Sequence, residues 1–314
     1  MSRSHRSTTP GTGRSALRNP VAAIAAGALL LLILTAILGP WLSPYSSDEI
    51  NLLGAFAAPS REHWLGTDEL GRDLLTRLMA GARVSLTVSG AAVGLAAFIG
   101  VLLGGLAAVR GRLVQGVILR LSDVMLSFPK ILTAIVLVAM FGASMVSIVL
   151  ALGISYVPRF LRLTWSSLLV VREQTYVEAA RASGAGTIRI LLRHMLPNIL
   201  PALLVQVTLS LGFVILVESS LSYLGLGVQP PDASWGSMID NSQLYVTQSP
   251  YAVIFPGLAI LFTVLVLNFL GDELADSLDP RLRGHTGDTA PPRSRRSSNS
   301  DPRAEPRRVV PGGA

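Results

Sequence analysis

Residues 131–158 read ILTAIVLVAMFGASMVSIVLALGISYVP, a run without one charged side chain. About 20 apolar residues carry a helix across the hydrocarbon core of a bilayer. The run is therefore too long for one comfortable span and too short for two. The flanking charges resolve it. Arg110, Arg112 and Arg120 precede the run, and Arg159, Arg162, Arg172, Arg181, Arg189 and Arg193 follow it. Lys and Arg collect on the cytoplasmic side of membrane proteins, so both sets belong on one side and the chain between them crosses an even number of times. Two helices turn around near Gly142-Ala143-Ser144. The third begins near Leu119, with Arg120 and Asp123 as a local pair at its cytoplasmic end and a kink at Pro129. The fourth runs from about Met145 to Leu169.

Working outward, a charge-free stretch between Arg18 and Asp48 has its apolar heart at Val21 to Leu38. A cleaved signal peptide has an apolar region of about 7 to 15 residues; this one is longer and reads as the first transmembrane helix. The second helix lies within Val84 to Val109, the fifth spans roughly Ile199 to Leu221, and the sixth roughly Ala252 to Gly271. The expected architecture is an all-α polytopic membrane protein of six helices with both termini cytoplasmic. Its expected parts are a disordered tail over 1–19, a first helix over 20–42, and an extracytoplasmic loop over 43–83. A core follows over 84–271, containing a cytoplasmic loop at 172–198, and then a mostly disordered cytoplasmic tail over 272–314. Pro, Ser and Arg dominate both tails, which cannot bury a core. Every Lys and Arg except Arg61, Arg72, Arg77 and Arg83 then lies in the cytoplasm. Asp48, Glu49, Glu62, Asp68, Glu69 and Asp73 offset those four, and the loop at about 222–251 holds Asp232 and Asp240 with no Lys or Arg.

Composition agrees with a membrane setting. The 314 residues are 50% hydrophobic and 14% charged, against roughly 25% charged in a soluble domain, and the mean hydropathy is +0.54. The net charge of +7 is explained by topology rather than by nucleic acid. There are no cysteines, which excludes disulfides and thiolate metal sites. His5, His63, His194 and His285 have no ligand spacing, so no metal site is expected. The single lysine, Lys130, follows Ser127-Phe128-Pro129 with no glycine cradle, so this chain lacks a phosphate-binding loop. No convergent catalytic set is visible, and any ATP hydrolysis must come from another polypeptide.

The cytoplasmic segment Gln174 to Pro201 reads QTYVEAARASGAGTIRILLRHMLPNILP. Thr175 to Ser183 has helical character, Gly184 and Gly186 interrupt it, and Thr187 caps a second short helix from Ile188 to His194. Glu178-Ala179-Ala180, Gly184 four positions later, and then Leu196-Pro197 resemble the EAA loop of bacterial ABC-importer permeases. His194 stands where that family usually has an apolar residue. Two further segments are similar to the C-type permeases of dipeptide, oligopeptide and nickel importers. One is His63-Trp64-Leu65-Gly66-Thr67-Asp68-Glu69-Leu70-Gly71-Arg72-Asp73 with Gly81-Ala82-Arg83. The other is Glu218 to Gly227, then Gln229-Pro230-Pro231 and Trp235-Gly236.

The resemblance implies a type I permease fold in the bacterial cytoplasmic membrane. It implies a homologous second permease, two cytoplasmic ATPase subunits that use ATP and Mg, and an extracytoplasmic solute-binding protein. Glu178, Ala179, Ala180, Gly184, Leu196 and Pro197 would couple the permease to an ATPase. The chain itself would be no enzyme, would bind no cofactor and would touch no nucleic acid. Its cargo would be a dipeptide or oligopeptide, with a nickel complex or another small solute as the alternative. An ion-driven secondary transporter would want a midplane acidic site and inverted repeats; no clear repeat is seen. Asp68, Arg72 and Asp73 are candidates for seating the binding protein, on a segment that otherwise reads as a short amphipathic helix striped by Leu70, Leu74, Leu75 and Leu78. Trp235 reads as an interface anchor. Glu218, in an apolar span, reads as interface-exposed, as a helix-packing contact, or as part of the translocation pathway.

The charge bias yields a direct test. With single cysteines introduced at positions 185 and 234, a membrane-impermeant thiol reagent applied to intact cells labels 234 and spares 185. The opposite pattern overturns the orientation.

Overall fold

The computed structural model describes residues 20–278, which form one helical unit. Helix α1 spans Pro20–Leu42, α2 Leu74–Val109, α3 Arg112–Leu126, α4 Lys130–Phe141 and α5 Met145–Arg172. Helix α6 spans Thr175–Ala182, α7 Thr187–Ile190, α8 Leu196–Tyr223, α9 Trp235–Ser242 and α10 Tyr251–Leu278. Four helical stretches, at 74–109, 145–172, 187–223 and 251–277, are long and apolar enough to cross a membrane. The expected disordered tails at 1–19 and beyond 278 lie outside the described residues; residues 272–278, expected as tail, continue α10.

The turn expected at Gly142-Ala143-Ser144 is present. Gly142 takes a φ of 84°, and the Ser144 side chain caps α5 by accepting from the Ser147 amide. The kink expected at Pro129 is a complete break: α3 and α4 meet at 91°. Proline removes a helical donor and disfavours helical backbone in the residue before it, so the chain leaves α3 at Ser127 and restarts at Lys130. Asp123 does not pair with Arg120; its partner is Arg162 of α5.

Helix α2 begins earlier than expected. No separate amphipathic helix precedes it, because Asp73 caps it at Leu74, accepting from the Thr76 amide at 2.9 Å. At ~1.5 Å per residue it is longer than the ~30 Å hydrocarbon core, so its first turns stand in the outer loop region. Its middle packs on α5 through small residues. A Cβ at Gly100 would lie 2.4 Å from the Phe160 Cβ, and one at Gly104 would lie 2.6 Å from the Leu161 carbonyl oxygen. The two glycines, four apart, let the backbones approach closely where lipid offers no hydrophobic drive to associate. Ala92, Ala96, Ile148, Leu152 and Phe160 fill the same buried core.

Two outer segments fold over this bundle. Residues 43–73 contact α9 and its flanks: Ser242 Oγ donates to Glu69 at 3.4 Å, Ser249 Oγ donates to the Thr67 carbonyl at 3.4 Å, and the Phe56 and Tyr245 rings lie 5.2 Å apart. Trp235 is 1% exposed rather than an interface anchor; its ring nitrogen donates to the Leu78 carbonyl at 3.0 Å. Ser234 is fully buried too, so Leu244, 82% exposed, is the better outer labelling position.

Replacing Gly104 by Val forces a branched side chain against the α5 backbone and is expected to destabilise by ~1–3 kcal/mol or more. Gly94→Ala, where nothing lies within 4 Å of the added Cβ, is expected to be neutral. Membrane abundance and detergent melting temperature check both.

Candidate functional site

The segment between α5 and α8 is anchored from below and bare above. Val177, Ile190 and Met195 are buried in the main core. Glu178 and Ala179 face outward, and Ala180 is half-buried. Helix α6 ends in a Schellman turn: the Ala185 amide donates to the Ala180 carbonyl at 3.2 Å and the Gly184 amide to the Arg181 carbonyl at 3.0 Å. This closure needs a left-handed residue, and Gly184 sits there at φ 80° with open space around it. A β-branched side chain is strained at that φ even though nothing crowds it.

Thr187 does not cap the next helix. Gly186 is the N-cap, and α7 runs through a π-helical turn at Leu191–Met195 directly into α8, giving one helix over 187–223. Pro197 lacks the amide that would reach the Arg193 carbonyl, and the wider turn relieves the ring's clash with that carbonyl. Leu196 and Pro197 thus start α8 and are no part of the outward face of α6. Asn198 donates to the Tyr176 hydroxyl and ties α6 to α8.

Asp68, Arg72 and Asp73, expected as docking groups, are 2%, 9% and 6% exposed. Arg72 Nε donates to Asp68 at 2.7 Å and Nη2 to Glu69 at 2.7 Å, while Arg77 Nε approaches Asp68 at 3.3 Å. Arg77 also donates to the Ser47 carbonyl at 3.0 Å, and Asp73 bonds His63 at 3.0 Å besides capping α2. Buried charges must be paired; these side chains are buried against one another and tie residues 47–73 to the start of α2.

Glu218 is fully buried. It accepts hydroxyls from Ser85 of α2 at 3.1 Å and from Ser222 at 2.8 Å, and Ser85 Oγ in turn accepts the Trp235 amide at 3.4 Å. This carboxyl joins α2, α8 and α9. Glu218 is not exposed at an interface, and its hydrogen bonds are helix-packing contacts. Among the described residues no group of three or more His, Asp or Glu is arranged to hold a metal ion.

Residues 100–284 match the family of binding-protein-dependent transport system inner membrane components. The chain belongs to this family. Residues 13–59 of the permease also match the N-terminal transmembrane domain of oligopeptide transport permease C. It is similar to the dipeptide transport system permease protein DppC of Alkalihalophilus pseudofirmus, at 41% identity over 85% of this chain and 88% of that protein. It is likewise similar to the glutathione transport system permease protein GsiD of Shigella dysenteriae, at 40% identity with the same shares. Its fold resembles the MetNI methionine ABC transporter in inward-facing form, with a TM-score of 0.54 at 18% identity, covering 66% of this chain and 97% of that one. The permease is accordingly a multi-pass protein of the inner membrane.

Sequence reasoning missed several groups that the structure brings out. Ile188 and Leu192 are 67% and 58% exposed beside Glu178 to Gly184; their i,i+4 spacing was visible, but not that one side of the helix stays uncovered. Arg77 and Ser85 carried no local signal, since their partners come from distant segments.

Glu218→Gln keeps an acceptor for Ser85 and Ser222, whereas Glu218→Leu strands both hydroxyls at a cost of about 1–3 kcal/mol for each group left unpaired. The Gln variant is expected to melt near wild type in detergent and the Leu variant several degrees lower. A Gln variant as unstable as Leu would refute the packing role.

Proposed function

We propose that this chain is the membrane-spanning permease subunit of an ATP-driven importer of dipeptides or oligopeptides. Six crossings are assigned to α1, α2, the bent α3–α4 pair, α5, α7–α8 and α10, with both termini cytoplasmic. The observation that carries the reading is the segment after α5. Buried Val177, Ile190 and Met195 fix it to the core, while Glu178, Ala179, Ile188 and Leu192 are left uncovered at its surface. An outward acid, small residues that permit close approach and two apolar side chains suit a groove on a cytoplasmic ATPase. Two such ATPases carry ATP and Mg, and a homologous second permease completes the path. The names of the similar permeases, which print dipeptide and glutathione transport, favour a peptide cargo.

In this reading, closure of the ATPase pair pushes α6 as a rigid lever. The Schellman turn at Gly184 and the continuous helix 187–223 transmit that push to α8. On the other side, the exposed rim of the outer cap, where Leu53 and Trp64 stand clear of the fold, seats the binding protein.

Glu178→Lys and Gly184→Val test the coupling role. Both lie outside the bundle core, so membrane abundance and pairing with the second permease are expected to persist. Recovery of the ATPase subunits, or ATP-dependent uptake in vesicles, is expected to fall roughly tenfold, corresponding to ~1.4 kcal/mol at a docking contact. Normal uptake by both variants sinks the assignment. Loss of both proteins from the membrane reduces the segment to an ordinary connector.

A further inference from the structure

Helix α5 carries Tyr156, Arg159, Arg162 and Ser166 at spacings of three and four. Arg162 is neutralised by Asp123. Lys130, the first residue of α4 and the only lysine of the chain, holds its ammonium 4.4 Å from the centroid of the Tyr156 ring. Arg159 places its guanidinium 5.7 Å from the ring of Phe213 on α8. Both cations are half-buried, and among the described residues neither has a carboxylate within ion-pair distance.

Unpaired cations of this kind are not set against lipid tails. Even translocon-based scales penalise such a charge at mid-bilayer, and charged groups within spans almost always face a bundle interior or a water-filled path. Snorkelling to lipid headgroups does not describe Lys130, because the ring beneath it is only 2% exposed and draws it inward. Cation–π contact orients a cation but uses few of its donors; Lys keeps its N–H groups and Arg keeps its planar fork. Among the described residues of this chain no carboxylate fills them, and an anion can. A carboxylate suits the donors of either cation, taken in bidentate fashion by the guanidinium and as a point charge by the ammonium. The flanking rings provide apolar surface for a neighbouring side chain.

We propose that Lys130 and Arg159, framed by Tyr156 and Phe213, form a station in the translocation path that takes the carboxylate of the passing solute. The proposal rests on the importer reading given above. The probes are dialanine and its C-terminal amide, added to the assembled permease–ATPase complex in lipid nanodiscs. Saturation-transfer NMR is expected to detect dialanine on the wild type, and the signal is expected to fall roughly tenfold in K130Q/R159Q, as when a charge-assisted contact of ~1.4 kcal/mol is lost. The charge-conserving K130R/R159K is expected to retain the signal, and the amide to bind weakly to all three. Equal dialanine signals in wild type and K130Q/R159Q, no signal in wild type, or equal loss for acid and amide each overturn the proposal. So does an anionic phospholipid that copurifies with wild type, is absent from K130Q/R159Q and blocks dialanine, since the cations then hold a headgroup. Vesicle uptake of dialanine with the binding protein present tests the importer reading separately. Uptake without a signal sinks the station alone, whereas a signal without uptake sinks the peptide-importer reading and, with it, the station as a step in the path.

Discussion

The close approach of α2 and α5 is the contact on which the rest of the structure hangs. Within a bilayer, apolar side chains gain nothing by leaving lipid for protein, so association depends on van der Waals contact and on shape. Gly100 and Gly104 remove the side chains that would hold the helices apart, and Gly153 does the same from the α5 side against Leu95. With that pair fixed, α8 and α4 pack around it and α1 and α10 close the outside. The long exposed side chains of α1, among them Leu30, Leu31 and Ile37, then face lipid, where their exposure carries no penalty.

Charge is distributed around this core by one rule with two outcomes. Where ionisable groups fall in the folded interior they are fully satisfied: Asp68, Glu69, Arg72 and Arg77 bind one another in the outer cap, and Glu218 collects hydroxyls from two helices. Such networks hold a fold in register because breaking one member leaves its partner buried and unpaired. Where satisfaction is incomplete, at Lys130 and Arg159, the groups lie on a part-exposed face and are steadied by aromatic rings. The first arrangement is architecture. The second leaves donors available to something that comes and goes.

The segment between α5 and α8 owes its shape to backbone geometry. A left-handed glycine ends α6, and a π-helical turn accommodates Pro197 so that the helix over 187–223 continues without a break into the bundle. An interruption there would absorb motion. The continuous helix includes α8, which carries both Glu218 and Phe213.

The sequence by itself determined the helical class, the turn at Gly142, the clustering of the arginines between apolar runs and the Glu178 to Pro197 signature. These features are local: they depend on apolar run length, on charge between runs and on residues a few positions apart. Helix starts were less legible, because Leu74 begins a helix only once Asp73 caps it and the outer cap shelters its first turns. Tertiary structure alone decided which polar groups turn inward. Ser85 meets Glu218 across 133 positions and the Trp235 amide meets Ser85 across 150. No periodicity records such pairings, since they arise when separate helices bring their small residues together and each buried polar atom takes the partner that packing places within reach.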